Sequence, residues 1–501
     1  MKGAVAIAAL AATTSASPYF SKRQANEAAC KRLPLVDSKA LQDSIKPEAL
    51  LKGAQALQDF AYAHPERNRL FGGAGHNDTV NYLVEELEAL DGYYKVEKQE
   101  WHSLAQVNGT ASLLINGTDY NPNVMEYSPS GNVTAPIVVV NNLGCNSSDY
   151  PSTVRGNIAL ISRGTCEFGL KSVLAGQAGA AGAIVYNNAA GSLNGTLGPP
   201  RPQGPYIPTV FIAGENGTAL RTALTGGASL IGDLDTWSLI ENRTTYNVLA
   251  TSNCGALNTT LMLGAHTDSV AEGPGINDDG SGTIGILEVA KQLAKYKVNN
   301  AVRFGFWSGE EAGLLGSTYY VNNLSPAELA NVRAYLNFDM IASPNYIYAI
   351  YDGDGSSFNL TGPPGSAEIE EFFEKWFAGA GQNFTATEFS GRSDYQAFID
   401  NGIPAGGTFT GAEEIKTPED AGKFGGTAGI ATDPNYHQAG DTVDNLNRTA
   451  FELNAKAIAA AVAEYATTFD GLPPKSLQKR RVSLWEKARR RVPKKGMKGS
   501  L

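Results

Sequence analysis

From about residue 246 the chain alternates apolar runs of strand length with stretches of helical periodicity, and this alternation restricts it to an α/β layer. The strand-like runs lie at 247–250, 260–265, 301–307 and 334–340, and the helical stretches at 282–293, 366–378 and 451–465. The expected fold class is α/β, with a mixed, mostly parallel central sheet flanked by helices. In such sheets functional groups collect at strand ends and in the loops behind them.

Histidines and acids stand at those places in five segments: 263–269 with His266 and Asp268, 275–282 with Asp278, 306–313 with Glu310 and Glu311, 336–340 with Asp339, and 435–442 with His437. Only five histidines occur in the whole chain, and two of them fall here. Zinc accepts imidazole nitrogen and carboxylate oxygen, and a catalytic zinc keeps one position open for water. Two zinc ions ~3.5–4 Å apart can share one carboxylate, each taking one more histidine and one more acid. That inventory is complete: His266 and His437 as imidazoles, Glu311 and Asp339 as terminal acids, Asp278 as the bridge. Asp268, two residues beyond His266, is placed to accept the second imidazole N–H and fix its tautomer. Glu310 is the general base for zinc-bound water, whose pKa falls to ~7, and returns the proton to the leaving amine.

The rest of the chain offers less chemistry. Between residues 47 and 90 apolar residues recur at three and four positions, as in packing helices, and His64 and His76 read as surface or capping groups. Residues 126–235 are rich in Gly, Pro, Asn and Thr, with short β-branched runs and no histidine. This stretch suits a binding or covering role. Its GQAGAAG run lacks the Lys-Ser/Thr that a phosphate loop needs. The formal net charge of -10 argues against nucleic acid as a partner.

The N-terminus has the three parts of a secretory signal peptide, with cleavage expected after Ala16 or Ser17, and Lys22-Arg23 offers a second processing site. No later segment is long and apolar enough for a membrane span. Sequons at Asn77, Asn108, Asn116, Asn132, Asn146, Asn194, Asn216, Asn242, Asn258, Asn359, Asn383 and Asn447 agree with export and glycosylation. The four cysteines then read as disulfides. The short loop favours Cys145 with Cys166, which leaves Cys30 with Cys254. From Lys475 to Leu501 eleven Lys/Arg face one acid, a basic tail with no catalytic use.

At the five segments the sequence resembles the co-catalytic di-zinc aminopeptidases, most closely the fungal secreted leucine aminopeptidase and vacuolar aminopeptidase Y type, over residues 1–470. The carrying features are the twelve-residue step from His266 to Asp278, the Glu310-Glu311 pair, and the 28 residues from Glu311 to Asp339. The resemblance implies a di-zinc exopeptidase fold with one zinc on His266 and Asp339, the other on Glu311 and His437, and Asp278 between them. It implies that Tyr436 hydrogen-bonds the developing oxyanion and that Arg392 contacts substrate. The implied division is a signal peptide at 1–17, a propeptide or N-terminal extension at 18–45, the first part of the peptidase domain at 46–125, a β-rich protease-associated insert at 126–235, the catalytic domain at 236–470 and the basic tail at 471–501. The expected protein is a monomer, secreted or vacuolar, that removes leucine or other apolar residues from peptides with a free N-terminus.

Overall fold

The computed structural model describes residues 30–192 and 195–474. The expected signal peptide, Lys22-Arg23, the extension before residue 30, Asn194 and the tail from Lys475 lie outside the described residues. Among the described residues no helix is long and apolar enough to cross a membrane.

Eight strands form the part of the sheet that carries the site: β1 (Tyr94–Ile115), β2 (Ile231–Ser252), β3 (Ala256–His266), β4 (Asn300–Trp307), β5 (Val332–Phe338), β6 (Ala349–Tyr351), β7 (Thr385–Thr387) and β8 (Ala405–Phe409). Their order is β7-β6-β8-β5-β3-β4-β2, with β1 on the far side of β2. β4, β3, β5 and β8 run parallel, while β2 and β6 each oppose their neighbour in that set. Mostly parallel strands need helices on their faces. α1 (Pro47–Tyr62), α2 (Ala74–Glu88), α3 (Gly280–Leu293), α4 (Ser366–Gly379) and α5 (Arg448–Thr467) supply them.

The period-two pattern of the strands decides which residues meet those helices. Leu261, Leu263 and Ala265 of β3 pack with Phe304 and Phe306 of β4 and Leu336 and Phe338 of β5, against Leu287 of α3 and Ile458 of α5. The opposite face buries Met262, Trp307, Tyr335 and Phe398 in a second cluster. Gly264 of β3 faces that cluster, where a Cβ would stand 2.1 Å from the Tyr335 hydroxyl. Only glycine lets the strands close there.

β1 and β2 are each 22 residues long and pair antiparallel along their length, with a bulge between Gln106 and Asn108. The run at 247–250 read from the sequence is only a fragment of β2, because alternation on a half-exposed ribbon carries no continuous apolar signal. The first part of β2 pairs with Gly131–Val139 of the insert, and its last part pairs with β4. One ribbon thus joins the insert's sheet to the catalytic one. Inside the insert, Gly131–Val139, Ile158–Ser162, Gly182–Tyr186 and Thr209–Ile212 run parallel over their own core. Disulfides Cys145–Cys166 and Cys30–Cys254 are both present, the first within the insert and the second tying the N-terminal segment to the β2–β3 turn.

Candidate active site

Three neighbouring parallel strands release their functional residues at one edge. His266 is the last residue of β3 and lies opposite Trp307, the last of β4, while Asp339 follows Phe338 at the end of β5. Glu310 and Glu311 follow β4 by three and four residues, Asp278 precedes α3, and His437 enters from the loop before α5. His437 has φ 56°, a left-handed turn that directs its ring back to the edge.

The five expected ligand residues come together in two overlapping groups, His266 with Asp278 and Asp339, and Asp278 with Glu311 and His437. His266 Nε2 lies 3.1 Å from Asp278 Oδ1 and 3.6 Å from Asp339 Oδ1. His437 Nε2 lies 3.2 Å from Asp278 Oδ2 and 3.0 Å from Glu311 Oε2. The two oxygens of Asp278 therefore face different histidines. His437 Nε2, Asp278 Oδ2 and Glu311 Oε1 are buried without a hydrogen-bond partner. Buried polar atoms left orphaned cost free energy unless something else satisfies them. A nitrogen and several oxygens converging in this way form a donor set that fits zinc.

Burial alone would raise Asp278, but His266 and His437 outweigh it and hold the carboxyl below its ordinary range. Burial likewise works against the imidazolium forms, and the surrounding carboxylates, Asp339 foremost for His266 and Glu311 for His437, pull both histidines well above theirs. Glu310 makes none of these close contacts. Burial pushes it well above the usual carboxylate range, with Asp339, Asp394 and Glu311 adding and His266 opposing.

Asp268 presents two acceptors to His266. The nearer acceptor for His266 Nδ1 is the backbone carbonyl of Asp268 at 3.2 Å, and the carboxylate stands at 3.6 Å. β3 ends at His266, so the chain no longer alternates as a strand would. The Asp268 carboxylate also accepts the N–H of Glu310 at 3.2 Å and so holds the main chain there.

Several buried groups that the sequence did not single out hold this edge in place. Asp279 caps α3 and accepts from the N–H of His266, Gly282 and Met340 at 3.0, 2.9 and 3.0 Å. Asp441 accepts the N–H of Asn277 and Asp278 at 2.8 and 3.0 Å. Ser393 donates to Asp339 Oδ2 at 2.5 Å and accepts from Asn337 at 2.7 Å. Arg69, fully buried, donates to the carbonyls of Thr267, Pro274 and Gly275 and threads the loop between His266 and Asp278. His76 is a correction: it is fully buried, with Nε2 2.9 Å from the Thr267 hydroxyl. The helix face it occupies packs on the site loop rather than facing water.

Beside Glu311 and His437 opens a cleft of about 650 Å³, lined among others by Glu66, Asn68, Gln106, Glu126 and Glu272. Glu126, at the N-terminal border expected for the insert, reaches this cleft, which agrees with the covering role expected of that region. Burial, with Glu272 and Glu311, raises its carboxyl to about 7. The Tyr436 ring stacks on the His437 imidazole, centroids 3.9 Å apart, and its hydroxyl accepts from Arg392 at 3.3 Å. Arg392 is exposed and pairs with Glu413 at 2.9 Å.

Family models match two stretches of the chain, Peptidase family M28 over residues 247–462 and the PA domain over residues 133–220. The chain is 56% identical over 449 residues to a probable leucine aminopeptidase 2 of Aspergillus fumigatus, covering 89% of this chain and 88% of that one. It is 53% identical to leucine aminopeptidase 2 of Trichophyton rubrum, covering 88% of each. Among solved structures, the aminopeptidase from Aneurinibacillus sp. strain AM-1 superimposes with a TM-score of 0.72 at 26% identity, over 88% of this chain and 98% of that one. A zinc aminopeptidase from Bacillus subtilis shares the fold, with a TM-score of 0.60 at 24% identity over 86% of this chain and 99% of that one.

Proposed function

The chain belongs to peptidase family M28, and from that premise we propose that it is a secreted aminopeptidase that removes leucine and other apolar residues from the N-termini of peptides with two zinc ions. The observation that carries the reading is Asp278, whose Oδ1 stands 3.1 Å from His266 and whose Oδ2 stands 3.2 Å from His437. In this reading His266 and Asp339 would hold one ion, Glu311 and His437 the other, and Asp278 would contribute to both. Zinc, when bound, acidifies water and polarises the scissile carbonyl.

The chain's own residues do the rest. Glu310 takes the proton of the attacking water and delivers it to the leaving amine, and its burial keeps its pKa high enough to hold that proton. Asp268 fixes the main chain under Glu310. Tyr436 donates to the developing oxyanion, with Arg392 orienting the phenol from the substrate side. The free α-amine of the substrate sits near Glu310 and Asp339.

Among its described residues the cleft lining holds carboxylates and no lysine or arginine. A carboxypeptidase needs a cation there for its substrate's terminal carboxylate, so the lining favours the amine end. The insert at 126–235 walls this cleft as a protease-associated domain, and the peptidase domain comprises 46–125 and 236–470. We take the chain to act as a monomer. For export, Asn108, Asn116, Asn132, Asn146, Asn242, Asn258, Asn359 and Asn383 are exposed and open to glycosylation. Asn77, Asn216 and Asn447 are half-buried, and Asn447 caps α5 through Ala450.

The test compares leucine p-nitroanilide with its N-acetylated form on the purified protein. Hydrolysis of the free amine alone, lost on chelation and restored by zinc, is expected. Release of C-terminal residues, cleavage of the blocked substrate, or activity indifferent to chelation refutes the reading.

A further inference from the structure

A second group of oxygens lies outside the active site, where the chain leaves β6 and turns into α4. The loop reads Tyr351-Asp352-Gly353-Asp354-Gly355-Ser356-Ser357. One oxygen each of Asp352, Asp354 and Glu370 lie within 4.8 Å of one another. Asp352 is 0% and Glu370 6% exposed, while Asp354 faces solvent.

Backbone amides satisfy only half of the buried pair. Asp352 Oδ2 accepts from Ser357 and Phe358 N–H at 3.0 and 2.8 Å, whereas Asp352 Oδ1 is buried with no hydrogen-bond partner. Glu370 Oε2 accepts from Gly353 and Asp354 N–H at 2.8 and 3.1 Å. Among the described residues no lysine or arginine forms an ion pair with any of the three, and Lys375 on α4 is paired with Glu371 at 2.5 Å. Burial, with Asp354 and Asp352 adding to it, raises the Glu370 carboxyl to about 6. Three acids thus meet with one orphan oxygen and no compensating charge. The close fit of the loop is itself specific, since a Cβ on Gly353 would stand 2.2 Å from the Ser366 carbonyl.

The geometry points to a structural calcium site made by Asp352, Asp354 and Glu370, separate from the zinc pair. The donors are all oxygen, with neither histidine nor cysteine, which selects a hard cation over zinc. Two oxygens that each lie ~2.4 Å from a calcium ion can be at most ~4.8 Å apart. The orphan Asp352 Oδ1 gains its missing partner, and the exposed side of Asp354 leaves room for the waters that complete the shell.

The site braces the wall behind the catalytic edge. Asp352 N–H donates to the Thr387 carbonyl at 2.9 Å, and the Tyr351 ring packs on Phe389 and Tyr395 with centroids 5.1 and 4.9 Å apart. That segment carries Ser393, the donor to Asp339. Calcium therefore acts on stability and not on the chemical step.

The experiment uses the full chain, stripped of metal, reloaded with zinc and then titrated with calcium chloride by calorimetry and thermal unfolding. One calcium per chain beyond the zinc is expected, with Tm rising by ~3 °C or more at ~100 times Kd. Asp354→Asn, at an exposed position, is expected to weaken calcium binding at least ~10-fold while calcium-free zinc content and turnover match the unaltered protein. Glu370→Gln is expected to abolish the calcium response; if it does not fold, Asp354→Asn decides alone. No calcium heat and an unmoved Tm, or an equal response in Asp354→Asn, overturns the proposal.

Discussion

The carboxylate of Asp441 accepts the backbone N–H of Asp278 at 3.0 Å, a contact between residues 163 apart in sequence. With the Asn277 N–H on its other oxygen, Asp441 fixes the main chain that presents the shared carboxylate to both histidines. It touches neither histidine itself, and its effect is on the aim of Asp278.

Asp441→Ala leaves two buried N–H groups without acceptors, a cost of ~1–3 kcal/mol each. Zinc affinity is expected to fall ~10- to 100-fold, as when a partner behind a metal ligand is lost. Asp441→Asn keeps one acceptor and is expected to fall between. Competition with a zinc-binding dye measures both.

Glu310→Gln keeps the shape and removes the proton acceptor. Turnover of leucine p-nitroanilide is expected to fall ~10²- to 10⁴-fold while zinc content stays unchanged. A comparable loss of zinc would mean that Glu310 is a ligand and not a base.

Ser393→Ala deletes the donor that reaches Asp339 at 2.5 Å. Zinc is expected to bind ~10-fold more weakly at the ion proposed for His266 and Asp339, and Ser393→Thr is expected to recover part of it. The readout is a two-step zinc titration in which one step shifts and the other does not.

Lys171 of the insert is fully buried, with its ammonium donating to the Leu143 carbonyl. Burial, only partly offset by Asp149, lowers it from 10.5 to about 8. The folded state therefore gives up this proton before the unfolded state does. Relative to Lys171→Met, the protein is expected to gain stability as pH rises from about 8 to 10.5 and to level off beyond. Urea unfolding of both proteins across that range measures it, and parallel curves would contradict it.

Much of the proposed ligand set is legible in the sequence because strand ends are legible. A run such as Leu261, Leu263 and Ala265 marks a strand facing helices, and the His266 that closes it must lie at the edge. Asp279, Asp441, Arg69 and Ser393 are not legible in the same way. Each looks locally like a turn or surface residue, and its importance arises only when it meets groups tens to hundreds of residues away. His76 shows the same limit from the opposite side, since helical spacing near it does not reveal that the site loop covers that face. Glu126 escapes notice because the β1–β2 ribbon, which brings the insert to the cleft, leaves only half-apolar alternation in the sequence.

The central claim is that one carboxylate serves two ions, and native mass spectrometry of zinc-loaded protein tests it directly. Two zinc ions per chain are expected for the unaltered chain, and neither is expected to be retained by Asp278→Ala under the same conditions. A single zinc in the unaltered protein, or two in the Asp278→Ala variant, contradicts the account.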